Sequence, residues 1–247
     1  MRTTAVRKRN CSHSMTRPHH LRFALSLIAA FVVAGCRTAD VSAGWRPLFP
    51  EDGVPRGWLV RHWADLRNPP PADAEWRVSG GVLSNTGSRG TWLISEAEYG
   101  DFELDYEFKL GERGNSGCAL RAPLIGDPAF DGLELQMVDL RYNPEATPSE
   151  LTGGLYRAVA PRRQCYRPTD WNRYQINCRG PRIRVILNGE QILDVNLDAQ
   201  TSSAKRHNGE DAPPLRLRPR RGHIGFQELS RDDARVQIRN ARIRPLD

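Results

Sequence analysis

Three short stretches of this 247-residue chain gather residue types that do chemistry. In Leu133-Glu134-Leu135-Gln136-Met137 the leucines and the methionine alternate with a carboxylate and an amide. In His223-Ile224-Gly225-Phe226-Gln227 the apolar pair alternates with an imidazole and an amide. In Asn115 to Arg121, Cys118 and Leu120 take one parity, while Asn115, Gly117, Ala119 and Arg121 take the other. Successive side chains of a β-strand point to opposite faces, so each stretch places its polar members together opposite an apolar face. A merely solvated face favours Lys, Glu and Thr. Glu, Gln, His, Arg and Asn separated by glycines suit a sugar, whose hydroxyls need donors and acceptors at close range.

The elements that must position these residues are strands throughout. Phe102 to Leu110 alternates without a break, with Phe102, Leu104, Tyr106, Phe108 and Leu110 on one face and Glu103, Asp105, Glu107 and Lys109 on the other. Arg182 to Leu187 alternates likewise and runs into Asn188-Gly189, a pair that tolerates the positive φ angles of a tight hairpin, so Gln191 to Leu197 is the expected return strand. Further strands are predicted at Trp76–Ser84, Gly90–Ile94, Gly117–Arg121, Gly132–Val138, Trp171–Cys178, His223–Glu228 and Ala234–Ile243. No amphipathic helix longer than a turn or two is visible. With no helices to cover them the sheets must cover each other, which predicts an all-β, two-sheet β-sandwich of jelly-roll type in one domain over 45–247. Arg61 to Glu75 and Asp198 to Arg221 are long for connections, and long loops in a compact domain are commonly functional.

The 36 basic and 29 acidic residues give a net charge of +7, but six of the basic side chains and no acid fall within residues 1–35. The remainder, 30 basic against 29 acidic, is nearly neutral, which argues against a nucleic-acid partner. Residues 1–35 have the charged start and the apolar run Phe23 to Ala34 of a secretory signal, a run too short to span a bilayer. Val33-Ala34-Gly35-Cys36 resembles the lipobox of bacterial lipoproteins. It implies a lipid on Cys36, a short linker over 36–44, and a domain anchored to the cell envelope outside the cytoplasm. Of the later cysteines, Cys165 and Cys178 could pair and leave Cys118 as a buried hydrophobe. No Cys-x-x-Cys suggests structural zinc, and no Gly-x-Ser-x-Gly suggests a serine hydrolase.

An ordered series of fragments carries a family resemblance. It runs through Phe49-Pro50-Glu51-Asp52-Gly53, Trp76-Arg77-Val78, Tyr99-Gly100-Asp101-Phe102, Asn115-Ser116-Gly117 with Arg121, and Glu134-Leu135-Gln136 with Asp139. It continues with Thr152-Gly153 and Tyr156, Trp171-Asn172, Asn188-Gly189, Gly222-His223-Ile224-Gly225-Phe226-Gln227, and Arg239-Asn240. Together these resemble the 3-keto-disaccharide hydrolase domain family, whose fold is a concanavalin-like, laminin-G-like jelly roll. The family often has Asp-His-Gly after the last Gln, where this chain has Glu228-Leu229-Ser230.

The resemblance implies cleavage of a sugar already oxidised to a ketone at carbon 3. The ketone acidifies the hydrogen on carbon 2, a base removes it, the glycosidic oxygen leaves carbon 1 by elimination, and water adds back. Such a site needs a base, an electropositive group near the enolate oxygen, and a proton donor. On this reading His223 or Glu134 is the base and Arg121 faces the enolate. Asn115, Gln136, Asp139, Tyr156 and Gln227 bind the sugar. A divalent cation such as calcium on Glu134, Asp139 and His223 could do the work of Arg121, though no spacing demands one.

Two other readings stay open. A direct glycosidase needs a pair of carboxylates, and Asp139 has the wrong parity to partner Glu134. A non-catalytic carbohydrate-binding or surface-adhesion module is the rival from another class: a shallow aromatic face would favour it, a recessed cluster of titratable groups an enzyme.

Overall fold

The computed structural model describes residues 44–247; the 1–35 leader and the lipidation site Cys36 lie outside the described residues. Thirteen strands and one short helix follow in order: β1 (Arg46–Pro47), β2 (Trp58–His62), β3 (Trp76–Ser79), β4 (Val82–Asn85), β5 (Thr91–Tyr99), β6 (Phe102–Lys109), β7 (Asn115–Ala122), α1 (Pro128–Asp131), β8 (Leu133–Val138), β9 (Asn172–Arg179), β10 (Arg182–Leu187), β11 (Glu190–Asn196), β12 (Gly222–Glu228) and β13 (Gln237–Pro245). They form two antiparallel sheets. The larger runs β11-β10-β9-β6-β13-β4-β3, with β1 added beside β13, and the smaller runs β2-β5-β12-β7-β8.

The expected sandwich is present, because the alternating strands bury one face each against the other sheet. Phe102, Leu104, Tyr106 and Phe108 of β6 and Tyr174 and Ile176 of β9 meet Cys118 and Leu120 of β7, Leu135 and Met137 of β8, and Ile224 and Phe226 of β12. The rings of Tyr106 and Phe226 cross edge to face, 5.2 Å apart, a favoured aromatic geometry. On the opposite face of β6, Glu103 pairs with Arg244, Asp105 with Arg173 and Arg242, and Glu107 with Arg239.

Three expectations are corrected. Trp76–Ser84 is not one strand but the hairpin β3–β4, turned at Gly80-Gly81, whose positive φ angles (57° and 76°) are those of a type I′ turn. Edge strand β2, absent from the sequence reading, starts ahead of the first long segment and ends on its first two residues, Arg61 and His62. Cys165 and Cys178 do not pair: Cys118, Cys165 and Cys178 are all free thiols. The carbonyl of Cys165 is held by Asn188 beside Asn172 at the start of β9, whereas Cys178 lies six residues further along that strand. Six residues span about 20 Å, far beyond disulfide reach.

The outer face of the smaller sheet is not solvated. Every residue of β7, β8 and β12 is buried, because the connections around them fold back over that face. Both segments that are long for connections contribute to this roof.

Candidate active site

Between the smaller sheet and its roof lies a recessed cavity of about 450 Å³. Its floor comes from alternate residues of three neighbouring strands: Gln227 of β12, Asn115 of β7, and Glu134 and Gln136 of β8. In the β7–β8 ladder Gly117 stands opposite Gln136, and Ala119 opposite Glu134. The Glu134 side chain leans diagonally across Gly117, so closely that a Cβ there would stand 1.9 Å from Oε1 and 2.7 Å from both Cγ and Cδ. The missing side chain of Gly117 is therefore the space that the carboxyl occupies.

Glu134 is 3% exposed, and its carboxyl makes no hydrogen bond among the described residues. Burial drives its pKa well above the usual carboxylate value, and the charge of Asp127 adds to the effect. The neighbouring amides are also free to serve a ligand. Asn115 Oδ1 is buried without a partner. Gln136 spends its Oε1 on the Met137 backbone N–H (2.9 Å), which leaves its amino group, and no hydrogen bond holds the Gln227 side chain among the described residues. Buried polar groups are ordinarily paired, so several unpaired ones around one hollow mark a place where a polar ligand completes the set.

The walls come from loops. Trp92 of β5 donates its indole N–H to the Trp63 carbonyl (3.1 Å) and packs with Leu66, Ile94, Ala119 and Ala122, which fastens the 61–75 segment to the sheet. His62, Trp63 and Pro71 thereby reach the cavity. Asp127 caps α1 by accepting the Ala129 N–H at 3.0 Å. Its carboxyl lines the cavity, and burial and Asp131 push its pKa up to about 7 against opposing pulls from Arg206 and Arg218. Arg89 crosses the rim to the Leu229 carbonyl and the Tyr142 hydroxyl.

The second long segment folds into a small hairpin, closed by the Ala212 N–H to Ala204 O bond (2.9 Å), the Arg206 N–H to Glu210 O bond (2.8 Å) and the Lys205–Asp211 ion pair. Arg206 grips Asp131 with both terminal nitrogens, at 2.6 and 3.0 Å. The next residue, His207, keeps an exposed outer side and lines the edge of the cavity beside Phe130, Trp63 and Tyr156, at ring-centroid distances of 5.3, 5.8 and 5.9 Å. Burial, helped by Arg157 and opposed by Glu150, holds its pKa below the ordinary histidine value.

Of the residues singled out from sequence, Glu134, Gln136, Asn115, Tyr156 and Gln227 share this cavity, and three do not. Arg121 adopts a left-handed backbone (φ 53°) where β7 and β12 slip register, which breaks the alternation that had placed it beside Gly117. Its buried guanidinium donates to the carbonyls of Gly100 and Gly180, both at 2.7 Å, and pairs with Asp101 at 3.1 Å, tying together turns at one end of the sandwich. His223 lies on the far side of the same slip, with Nδ1 against Ser95 O (2.7 Å) and Nε2 3.5 Å from Glu98. Asp139, just beyond β8, is taken by Arg141 (2.7 and 2.8 Å) and Tyr166 (3.4 Å), and the two arginine contacts hold its pKa low. The ligand set Glu134, Asp139 and His223 is thus not assembled, and no group of three or more His, Cys, Asp or Glu suited to a metal ion occurs among the described residues.

Asp127, His62 and His207 were missed by the strand-parity reading because they sit in connections or on the unrecognised edge strand. The only signal for His207 was the length of its loop. Leu229, at the position where the family often has histidine, also lines the cavity.

Residues 44–244 match the 3-keto-alpha-glucoside-1,2-lyase-like domain. The chain belongs to that family. Among solved structures, this member of the 3-keto-alpha-glucoside-1,2-lyase-like family is similar to a candidate glycosyl hydrolase from Parabacteroides distasonis ATCC 8503, with 27% identity and a TM-score of 0.65, over 82% of this chain and 99% of that one. A second candidate glycosyl hydrolase from the same organism, at 22% identity and a TM-score of 0.65 over 83% and 94% of the two chains, shares the fold. Among curated proteins no significant match was found. Family and fold make this a carbohydrate-active protein of hydrolase type. The recess and its clustered titratable groups fit an enzyme better than a shallow binding face.

Proposed function

We propose that the domain cleaves the glycosidic bond of 3-keto-glycosides by removal of the carbon 2 proton, elimination of the glycosidic oxygen and readdition of water. The observation that supports this most is Glu134: a buried carboxyl with no hydrogen-bond partner among the described residues, laid across Gly117 into a hollow lined by amides with donors or acceptors to spare. A carboxyl whose burial favours its protonated form suits protonation of a leaving oxygen. Gln136, Gln227 and Asn115 would meet the sugar hydroxyls and the carbonyl oxygen, and Tyr156 would border the ring. His223 and Arg121, which the sequence had suggested for chemistry, have no part in this scheme. The leader would anchor the domain through lipid on Cys36, outside the cytoplasm.

The test is incubation of the residue 37–247 domain with 3-keto-glucosides and with their unoxidised parents. Release from the keto sugars alone is the expected result, and Glu134→Gln should slow it by about 10² or more. A second reading has its own observation: Asp127 and Glu134 are two carboxyls in one cavity, the equipment of a direct glycosidase. Cleavage of unoxidised glycosides at a comparable rate would establish that reading instead, and glycan binding with no turnover of either would leave a binding module.

A further inference from the structure

We propose that His207 is the base of this cavity, taking the hydrogen from carbon 2 of the bound 3-keto sugar while Glu134 protonates the departing oxygen. The inference rests on the functional reading above and deepens it. Three histidines occur among the described residues, and their environments separate them. The Nδ1 of His223 lies against Ser95 O outside the cavity, and His62 accepts the Ala64 N–H at Nδ1 (3.2 Å). His207 lines the cavity, and neither ring nitrogen hydrogen-bonds a described residue.

The other cavity groups are less free to accept that proton. Burial favours the protonated form of Glu134 and of the Tyr156 hydroxyl, and Asp127, whose pKa lies at about 7, spends Oδ1 on the Ala129 N–H that opens α1. An imidazole kept neutral among Trp63, Phe130 and Tyr156 offers a lone pair. Its position is built: Arg206, immediately before it, is clamped to Asp131 of α1, the helix that begins beside the cavity at Asp127. The geometry therefore lines one cavity with an imidazole from the roof hairpin and a carboxylic acid from floor strand β8.

The step balances. The imidazole takes the carbon 2 proton, and the electrons of that bond pass to an enolate on the carbon 3 oxygen. The enolate returns to a ketone as the carbon 1–oxygen bond breaks and carbon 1 and carbon 2 become doubly bonded, with the proton of Glu134 going to the leaving oxygen. Water then adds across the double bond. Its oxygen joins carbon 1, its proton passes to the Glu134 carboxylate, and the imidazolium returns a proton to carbon 2.

The experiment separates the two halves of the reaction. A 1-deoxy-3-keto-glucose lacks the glycosidic leaving group at carbon 1, so exchange of its carbon 2 hydrogen, resolved by NMR in D₂O from that of carbon 4, reads proton removal apart from cleavage of a 3-keto-glucoside. Wild-type protein should accelerate both. Glu134→Gln should retain exchange and lose cleavage. His207→Gln should lose both by about 10² or more, and His207→Ala should recover exchange when imidazole is added. His207→Phe, which keeps the ring packing, should fold with the wild-type melting temperature and remain inactive. Wild-type exchange rates in His207→Gln and His207→Phe would overturn the assignment while leaving the elimination reading intact. Wild-type protein that neither cleaves nor exchanges a keto sugar would overturn both.

Discussion

Gly117→Ala tests the site through a residue that has no functional group. The added methyl would stand 1.9 Å from Glu134 Oε1, where ordinary contact needs about 3.4 Å, so the carboxyl must withdraw by about 1.5 Å. Gly117 lies within regular β7 without a positive φ, so alanine fits its backbone. What yields is the end of a flexible side chain, which puts the stability cost near the lower end of the usual 1–3 kcal/mol for overpacking, a melting-temperature loss of about 2–4 °C. A 1 Å displacement of a reacting group costs about 10² in rate, about 2.7 kcal/mol of barrier. Steady-state cleavage of a 3-keto-glucoside should therefore show kcat reduced by about 10² or more with KM changed only a few-fold, in a protein that melts almost normally. Gly225→Ala is the contrast. Its Cβ would meet Ile94 Cδ1 at 2.4 Å and the Leu93 carbonyl at 2.7 Å, so it should fail in stability first. Gly117→Ala with wild-type kcat would refute the placement of Glu134 at the chemical centre.

Other outcomes follow from the same geometry. kcat/KM should rise with pH as His207 loses its proton, at a pKa below 6.5, and fall again as Glu134 loses its own, well above 4.5; an unchanged ascending limb in His207→Gln would contradict this assignment. Arg121→Met leaves the carbonyls of Gly100 and Gly180 without their donor, which should cost about 2–5 kcal/mol in denaturant unfolding, with little added for Asp101, which is 38% exposed. His223→Ala should keep kcat within a few-fold, and a loss of 10² there would restore the role first suggested for it. Asp127 has its folded pKa raised from 3.8 to about 7, so ionisation opposes folding increasingly as pH climbs through that window. Asp127→Asn, which still caps a helix, should raise the melting temperature at pH 8 and not at pH 4, and equal effects at both would refute the shift.

How much of this was legible beforehand depends on where the backbone stays regular. Alternation gave the faces of β6 and β8 correctly, and with them Glu134 and Gln136, because those strands run unbroken. It failed at Arg121 and His223, which flank one irregularity. Between the pairs Gly225–Ala119 and His223–Ala122 strand β7 has one residue more than β12, which turns Arg121 off the alternation without any mark in the apolar pattern, and His223 stands past that slip at the end of the sheet, against Ser95 O and Glu98. Asp139 escaped because it lies past the last ladder pair of β8, where its own neighbour Arg141 claims it. His207 was invisible for a different reason. Its position depends on Arg206 meeting Asp131, 75 residues earlier in the chain, and no local pattern encodes a partner that distant.

The division between floor and roof carries a consequence for how such a site diversifies. The floor amides and Glu134 ride on ladders whose register the whole sandwich enforces, so they can scarcely drift. The histidine above them sits on a hairpin held by its own closing bonds, by the Arg206–Asp131 ion pair and by Arg157 on the Lys205 carbonyl. The loop of Trp63 is held by the Trp92 indole, by the bonds of the Trp63 N–H to the Gly90 carbonyl and the Leu66 N–H to the Gly126 carbonyl, and by a small apolar cluster. Lengthening or trading the Trp63 loop would reshape which leaving group fits while Glu134 and the floor amides stayed put, whereas the hairpin that carries the proposed base His207 has less room to change. Relatives that share this sheet should therefore differ most in what they release, and least in the bond they break.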